Sequence, residues 1–421
     1  MAARNCEMCS KVDIFFTLFL VLCFFHTCAY AREIYVSPNG SDSANCTKDA
    51  KCTLDRALRL ASGSTSTSIL ASKGNYSLKT SHIFTRITSF GLIGSGFRND
   101  VQITCEPNVS LAFSLSKNIT LEGLKFRKCA GWHRSSVGIK KNHPNLRGAK
   151  FKAALDFRYC RNLWMYNVEI SSSPGLGVNL YDVGGIVNFT HCLFADNFIS
   201  KERIHAEWED VSSENGKYVY SGGGVYVILN PYAYVTTNVT PAEHDSYQHN
   251  NIYEFSSCHF LRNKALWLNA HRTNELDTPE LPFSRGGGLA IYLPDKASGC
   301  LIKIRSSVFA SNEASWGGGL QVEMRGTTEN NSLEVESSVF RENGALLDGG
   351  GARIGNLPEE GVHLRINRFK MTNCSFEGNT AIFGGGGVTV WNNNSPEVFH
   401  SNKSGCYTVL LSWMQLGGER G

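Results

Sequence analysis

Apolar and polar residues alternate along much of this chain. Leu320, Val322 and Met324 are separated by Gln321 and Glu323, and Leu333 and Val335 flank Glu334. A period of two predicts strands with one buried face. Between Leu301 and Trp391 these strands belong to a unit written three times. Each copy runs from an alternating strand, through Phe-x-x-Asn, to a glycine run that opens the next strand. Phe309 and Asn312 precede Gly317-Gly318-Gly319, Phe340 and Asn343 precede Gly349-Gly350-Gly351, and Phe376 and Asn379 precede the glycines at 384 to 387. The phenylalanines recur 31 and 36 residues apart. Looser copies lie at Phe194 and Asn197 with Gly222 to Gly224, and at Phe260 and Asn263 with Gly286 to Gly288. Two copies end a second short strand in Ser-Ser-Val-Phe, so about three strands are expected per copy.

No copy holds a helical stripe long enough to cross a sheet. Strands joined by turns, in a unit of this size, fit an all-β solenoid, a single-stranded parallel β-helix in which each copy is one coil. Equivalent residues then stack. The phenylalanines predict an aromatic column inside, and the asparagines an amide ladder at a corner. The glycines allow a turn at positive φ or close packing of backbones. They do not read as phosphate loops, since no Lys-Ser/Thr follows and no helix opens there.

Upstream, strands are expected at Ser68 to Ser72, Ile87 to Ile93, Val101 to Cys105 and Ile119 to Phe126. Further ones are expected at Ala153 to Phe157, Leu163 to Ile170, Val178 to Tyr181 and Ile186 to Phe194. About ten coils over 63 to 391 follow from this. Segments 130 to 152, 198 to 220, 229 to 251 and 264 to 284 interrupt the pattern, and long insertions in a tight solenoid are expected to emerge on one face and to bind. Residues 32 to 62 read as an N-terminal cap: a strand, a loop between Cys46 and Cys52, and a short helix from Thr53 to Ala61 with Leu54, Leu58 and Ala61 on one side. Such a cap covers the open strand edges of a first coil. Cys46 and Cys52 are a candidate disulfide, pairing with Cys105 being the alternative. The tail, 392 to 421, lacks the repeat and reads as a cap strand or a truncated cap.

Composition adds a compartment. Arg4 and Lys11, an apolar run from Ile14 to Phe25 and Ala29-Tyr30-Ala31 read as a secretory signal peptide over 1 to 31. Removing it leaves ten of the 14 cysteines in an oxidising environment, and no transmembrane span is expected in the mature chain. Eleven Asn-x-Ser/Thr sequons follow, at Asn39, Asn45, Asn75, Asn108, Asn118, Asn188, Asn238, Asn330, Asn373, Asn393 and Asn402. They are N-glycosylation candidates, so the expectation is a secreted, extracellular or cell-surface glycoprotein. The balance of 41 basic against 37 acidic residues excludes a general nucleic-acid binder.

Tyr35-Val-Ser-Pro-Asn-Gly-Ser-Asp42 with Cys52-Thr-Leu-x-x-Ala57 resembles the opening of secreted right-handed parallel β-helix proteins of the pectate-lyase-like superfamily. Leu115-Ser-Lys-Asn-Ile-Thr-Leu-Glu-Gly-Leu-Lys-Phe126 resembles one of their coils. The Phe-x-x-Asn and Gly-Gly-Gly unit, with Ala265, Ala314, Ala345 or Ala381 two residues after the asparagine, is similar to the repeats of polymorphic outer membrane proteins and of uncharacterised secreted eukaryotic β-helix proteins. The resemblance covers about residues 33 to 391 and implies a right-handed solenoid far more than a reaction.

Superfamily members that cleave polygalacturonate use grouped acids, as calcium ligands beside an arginine base or as a hydrolytic pair. The densest acidic group here, Glu207, Glu209 and Asp210, lies in an insertion, and the hydrolase and lyase signatures are missing, so it ranks as a weak catalytic candidate beside a solvated acidic loop. Asp348 precedes a glycine run, but its equivalents are Trp316 and Arg285, which fits a corner better than a calcium site. Between 125 and 152 nine basic residues occur with no acid among them; Lys140, Lys141, Arg147 and Lys150 are the candidates for holding acidic glycans. Cys192, Cys258 and Cys374 share one repeat position with Ser307 and Ser338, which reads as a buried column rather than a metal site. His191 and His259 neighbour it but alternate to the opposite side. No cofactor or metal is implied. The favoured function is non-catalytic recognition or adhesion, with acidic glycans or extracellular proteins as partners. The alternatives are a lyase or hydrolase on acidic polysaccharide, and a structural spacer.

Overall fold

The computed structural model describes residues 31–132, 152–198, 220–221, 223–229, 248–265, 284–293, 297–325, 328–357, 367–392, 395–399 and 406–412. They form a right-handed parallel β-helix with one capping helix. Its first face stacks ten parallel strands, from Arg32–Val36 through Arg161–Tyr166 and Gly184–Thr190 to the first half of Arg368–Glu377. A second face stacks Gly74–Leu78, Val101–Cys105, Lys125–Arg127, Glu169–Ser171, Leu193–Ala195, His259–Leu261 and their successors. A third face runs from His82–Thr85 to Val388–Asn392. In the later coils a short corner strip lies between the second and third faces, made of Tyr220–Ser221, Ser284–Arg285, Glu313–Trp316, Gly344–Asp348 and Thr380–Ala381.

The later coils therefore carry four strands rather than three. Runs expected as single strands are also split. Ile119 to Phe126, Leu163 to Ile170 and Ile186 to Phe194 each bend, at Gly123, Asn167 and His191, where φ is 63°, 53° and 55°. The same bend recurs at Ser257, Ser306, Ser337 and Asn373, again at positive φ. One left-handed residue turns the chain from the first face to the second, and the next residue drops into the core as Val168, Cys192, Cys258, Ser307, Ser338 or Cys374. Apolar alternation continues across the bend, which hides it from a period-two reading.

Inside, Phe194, Phe260, Phe309, Phe340 and Phe376 stack with ring centroids 5.1, 4.6, 4.7 and 4.7 Å apart. That spacing is the inter-strand distance of a sheet. Beside them Asn197, Asn263, Asn312, Asn343 and Asn379 form the corner ladder. Each Nδ2 donates to the Oδ1 of the asparagine in the next coil at 2.9–3.0 Å, and each Oδ1 also accepts the preceding asparagine's backbone N–H. The second Nδ2 hydrogen goes back to a carbonyl of the preceding coil, Ile170 O for Asn197 and a phenylalanine for the other four, as from Asn312 to Phe260 O at 2.8 Å. Every amide atom is thus used in a site closed to water. A second amide column, Asn331 to Asn367 at 3.1 Å, holds the corner before the first face. Gly317 opens its run at φ 60°, and Gly319 lies so close to the next coil that a Cβ would meet Gly351 O at 2.5 Å.

The helix Leu54–Ser62 seals the N-terminal end, with Thr53 capping it and Leu54, Ala57, Leu58 and Ala61 buried. Cys46 is bonded to Cys52, while Cys105 pairs with Cys129 in the adjacent coil. Cys160, Cys192, Cys258, Cys300 and Cys374 are free and buried. Burial pushes the Cys160 thiol up to about 12 and Cys300 up to about 11, so these thiols stay protonated and inert. At the other end Ser395–Phe399 pairs antiparallel with Val388–Asn392, and Cys406–Ser412 with Arg368–Glu377. No helix among the described residues is long and apolar enough to cross a membrane.

Two outcomes test this frame. Asn312→Ala removes two donors and an acceptor shared by three coils. It is expected to destabilise by about 3 kcal/mol or more, read by chemical denaturation, because the neighbouring amides stay buried without partners. Asp55, in the capping helix, is raised by burial but lowered further by hydrogen bonds from His82, Thr80 and the Lys79 N–H, so its carboxyl ends below the ordinary value. A depressed folded-state value gives stability above the unfolded pKa that is lost as pH falls through the folded one. Asp55→Asn should therefore lower the melting temperature at pH 7, with the difference from wild type vanishing as both are acidified below that value.

Candidate ligand groove

The bend between first and second faces is two residues long in the later coils but longer in the third, where Ser95 to Asp100 links Ser89–Gly94 to Val101–Cys105. Gly96, at φ 109°, lets this loop turn. Asp100 fastens it, accepting from Phe97 N at 3.0 Å and meeting Lys73 at 3.1 Å. The loop lifts Phe97 and Arg98 beside the bends of the fifth to seventh coils. There they wall a groove of about 490 Å3 with Asn99, Tyr166, Asn167, His191, Ser257 and His259, over a floor at Cys192. This lies within the roughly 300–1,000 Å3 range of small-ligand clefts.

The walls are aromatic and exposed: Phe97 is 77% and Tyr166 48% accessible. Tyr166 and His191 meet edge to face with centroids 5.8 Å apart. Arg98 donates to the His191 carbonyl at 3.0 Å and stands 3.9 Å from Glu169, which Lys125 meets at 2.9 Å. Two cations thus face one carboxylate on this side of the solenoid. Burial, and then the Arg98 charge, lower His259 below the ordinary imidazole value, so it is neutral at pH 7. Glu122, beside Tyr166 in the sheet, is pushed up by burial.

The sequence candidates fall largely elsewhere. Lys140, Lys141, Arg147, Lys150, Glu207, Glu209 and Asp210 lie outside the described residues, as do Asn238, Asn393 and Asn402. Of the basic stretch, Lys125 and Arg127 lie on the second face, Lys128 follows at φ 57°, and Lys152 opens the third-face strand Lys152–Arg158. The sequons Asn39, Asn45, Asn75, Asn108, Asn118, Asn330 and Asn373 are exposed and Asn188 is partly so. The four interrupting segments leave from two corners rather than one face. Phe198 and Ala265 precede two of them beside the strip, Trp132 precedes a third from a strand paired with the third face, and Leu229 precedes the fourth after the third face. Chain length at a corner is free wherever stacking continues past it, and both corners have been used. His191 and His259 do point away from the cysteine column, and that is what brings them into the groove. The signal that would have found the groove is the one long bend in the third coil.

Asp348, Trp316 and Arg285 align on the corner strip. They belong to a network on the opposite flank. Glu323, 1% exposed, meets Arg285 at 3.1 Å and Arg353 at 3.5 Å, while Arg353 also meets Asp348 at 2.8 Å. Both guanidiniums stand over aromatic rings, Arg285 near Tyr292 and Trp316, Arg353 near Trp316 and Trp391. Burial raises the Asp348 carboxyl against the pull of Arg353 and Trp391. No group of three metal-ligating side chains occurs among the described residues.

No protein-family model matches the chain, and no curated protein does. Among solved structures it is similar to a Geobacillus virus E2 protein, ORF18, at 9% identity over 84% of this chain, with a TM-score of 0.36; it spans 62% of that protein's length. It is also similar to the pectate lyase Pel9A, at 10% identity over 87% of this chain and 80% of that one, with a TM-score of 0.35. An alginate lyase from Paenibacillus follows, at 13% identity over 78% and 98%, with a TM-score of 0.34. Likenesses of this size say nothing about ligand or reaction.

The buried ion network and an exposed ion pair are separable by mutation. Glu323→Gln leaves two buried guanidiniums short of a counter-charge and is expected to cost about 3–5 kcal/mol in denaturant unfolding. Glu336→Gln, at the exposed pair with Arg305, is expected to change stability by about 0.5 kcal/mol or less.

Proposed function

We propose that the protein is an extracellular glycan-recognition β-helix whose groove holds a uronic oligosaccharide. The observation that carries this reading is the groove's own lining: two exposed aromatic side chains, Phe97 and Tyr166, together with the Arg98 guanidinium. Sugar rings stack on aromatic faces, and a carboxylate on the sugar pairs with arginine in a charge-assisted, bidentate contact. Lys125 adds positive potential, and the segment with Lys140, Lys141, Arg147 and Lys150 continues the same basic stretch of sequence. An extracellular setting is supported by the two disulfides and by the leader ending Ala29-Tyr30-Ala31. Exposed sequons agree with passage through a glycosylating pathway.

Titration calorimetry with oligogalacturonate, oligomannuronate and a neutral cello-oligosaccharide tests it. A uronic probe is expected to bind at least tenfold more tightly than the neutral one. Arg98→Ala should weaken the uronic probe by roughly 10- to 100-fold, the size of a lost charged hydrogen bond, and flatten its salt dependence. Alanine at Lys140, Lys141, Arg147 and Lys150 measures what the basic segment adds. Equal affinity for neutral and uronic probes would sink the reading.

A further inference from the structure

We infer that Cys192 and Cys258, both thiols in this structure, oxidise to a third disulfide that joins the sixth and seventh coils directly beneath the groove. The inference does not depend on what the groove binds. Each cysteine follows the left-handed residue of a first-to-second-face bend, His191 at φ 55° and Ser257 at φ 52°. Pairing is in register on either side of them, Thr190 with Ser256 before and Leu193 with His259 after. Cys192 and Cys258 are therefore directly opposed, with Cα atoms about one strand spacing, ~4.8 Å, apart, inside the usual span of a disulfide. Both side chains enter the core, 1% and 0% exposed, and Cys192 floors the groove.

Two comparisons within the chain point to a bond rather than to two thiols. The first is Cys105–Cys129, which joins adjacent coils with Cα atoms 4.8 Å apart. Cys129 is also the inward residue after a left-handed one, Lys128 at φ 57°, so this solenoid already closes such a link at a bend. The second is the column itself. Ser307 Oγ accepts the Cys258 N–H at 3.1 Å, and Ser338 Oγ accepts the Ser307 N–H at 3.2 Å. Serine thus meets the hydrogen-bonding need of the position. Sulfur is a weak donor and a weak acceptor, and the two thiols donate only to Met165 O and Phe189 O in the core, at 3.3 and 3.2 Å. Cysteines in consecutive coils supply what serine cannot, a covalent bond. Cys160 and Cys300 lack this arrangement: the counterpart of Cys160 in the coil before is Ser116, and Cys300 stands between Asn251 and Asn331.

The reaction is exchange with an external disulfide, either glutathione disulfide or a disulfide oxidoreductase. One cysteine, as its thiolate, attacks that disulfide and forms a mixed one, and the second cysteine displaces the outer sulfur. Two protons and two electrons leave the pair, the Sγ–Sγ bond forms, and the external disulfide is reduced to two thiols. In the closed solenoid burial, and then the adjoining Cys192 thiol, push Cys258 well above the ordinary thiol range. Exchange therefore belongs to the folding chain, and closure protects the finished bond. The link ties together the backbone that carries His191, Ser257 and His259, so one wall of the groove is fixed across two coils. It also closes a loop that contains the interrupting segments 198 to 220 and 229 to 251, and a cross-link restrains an unfolded chain more as its loop lengthens.

The test uses the full chain secreted from a eukaryotic host, denatured at mildly acidic pH with N-ethylmaleimide and no reductant, then digested. A peptide pair joined through Cys192 and Cys258 is expected, separating into its halves on reduction. Recovery of both cysteines as maleimide adducts would overturn the inference. Cys192→Ser, Cys258→Ser and the double variant give a second readout, since serine already fills this column. Each single variant is expected to lower the melting temperature by several degrees, and the double variant by no more than either, because one substitution already removes the bond. Single variants as stable as wild type, or losses that add in the double variant, would count against the link.

Discussion

The structure depends on one constraint: each coil must present its polar corner atoms in register with the next. The asparagine ladder is where the constraint is strictest. An amide at that corner has four hydrogen-bonding valences and no water to spend them on, and stacking in register satisfies them only if the residue above and the residue below are of the same kind. The phenylalanine column beside it needs the same register for contact rather than for hydrogen bonds. Together they set the pitch, and everything outward of them, bends, insertions and the groove, varies without disturbing it.

That division explains what could be read from the amino-acid sequence. The ladder residues were legible because the repeat supplies an internal alignment, and five copies of Phe-x-x-Asn cannot stack in many ways. The capping helix was legible from Leu54, Leu58 and Ala61 on one side after a threonine. The bends at Asn167 and His191 were not, because burial alternates straight through them and only the backbone angle changes. The groove was harder still. Arg98 and His191 are separated by 93 residues, and insertions of unequal length hide which coils lie side by side. Paired acids are what a sequence shows most readily as a mark of polysaccharide chemistry, whereas the groove brings together a phenol, two imidazoles and a guanidinium. The network at Glu323 was invisible for another reason: each member reads as an ordinary outward polar residue until the corner strip closes over it.

The two flanks divide their labour. At Glu323 charge is enclosed and neutralised within the network, guanidinium against carboxylate and ring. At Arg98 it is left about a quarter exposed, with cations in excess of the one carboxylate they meet. The first arrangement favours rigidity and the second favours an incoming anion, and both are hung on the same unvarying core.

The groove's position along the solenoid has its own consequence. A stack of coils held by nearest-neighbour contacts loosens from its ends inward. Phe97 belongs to the third coil and His259 to the seventh of ten, so several coils shield the site on its C-terminal side and the capping helix with two coils shields it on the other. Fraying or proteolytic trimming at either end should shorten the molecule before it disarms it.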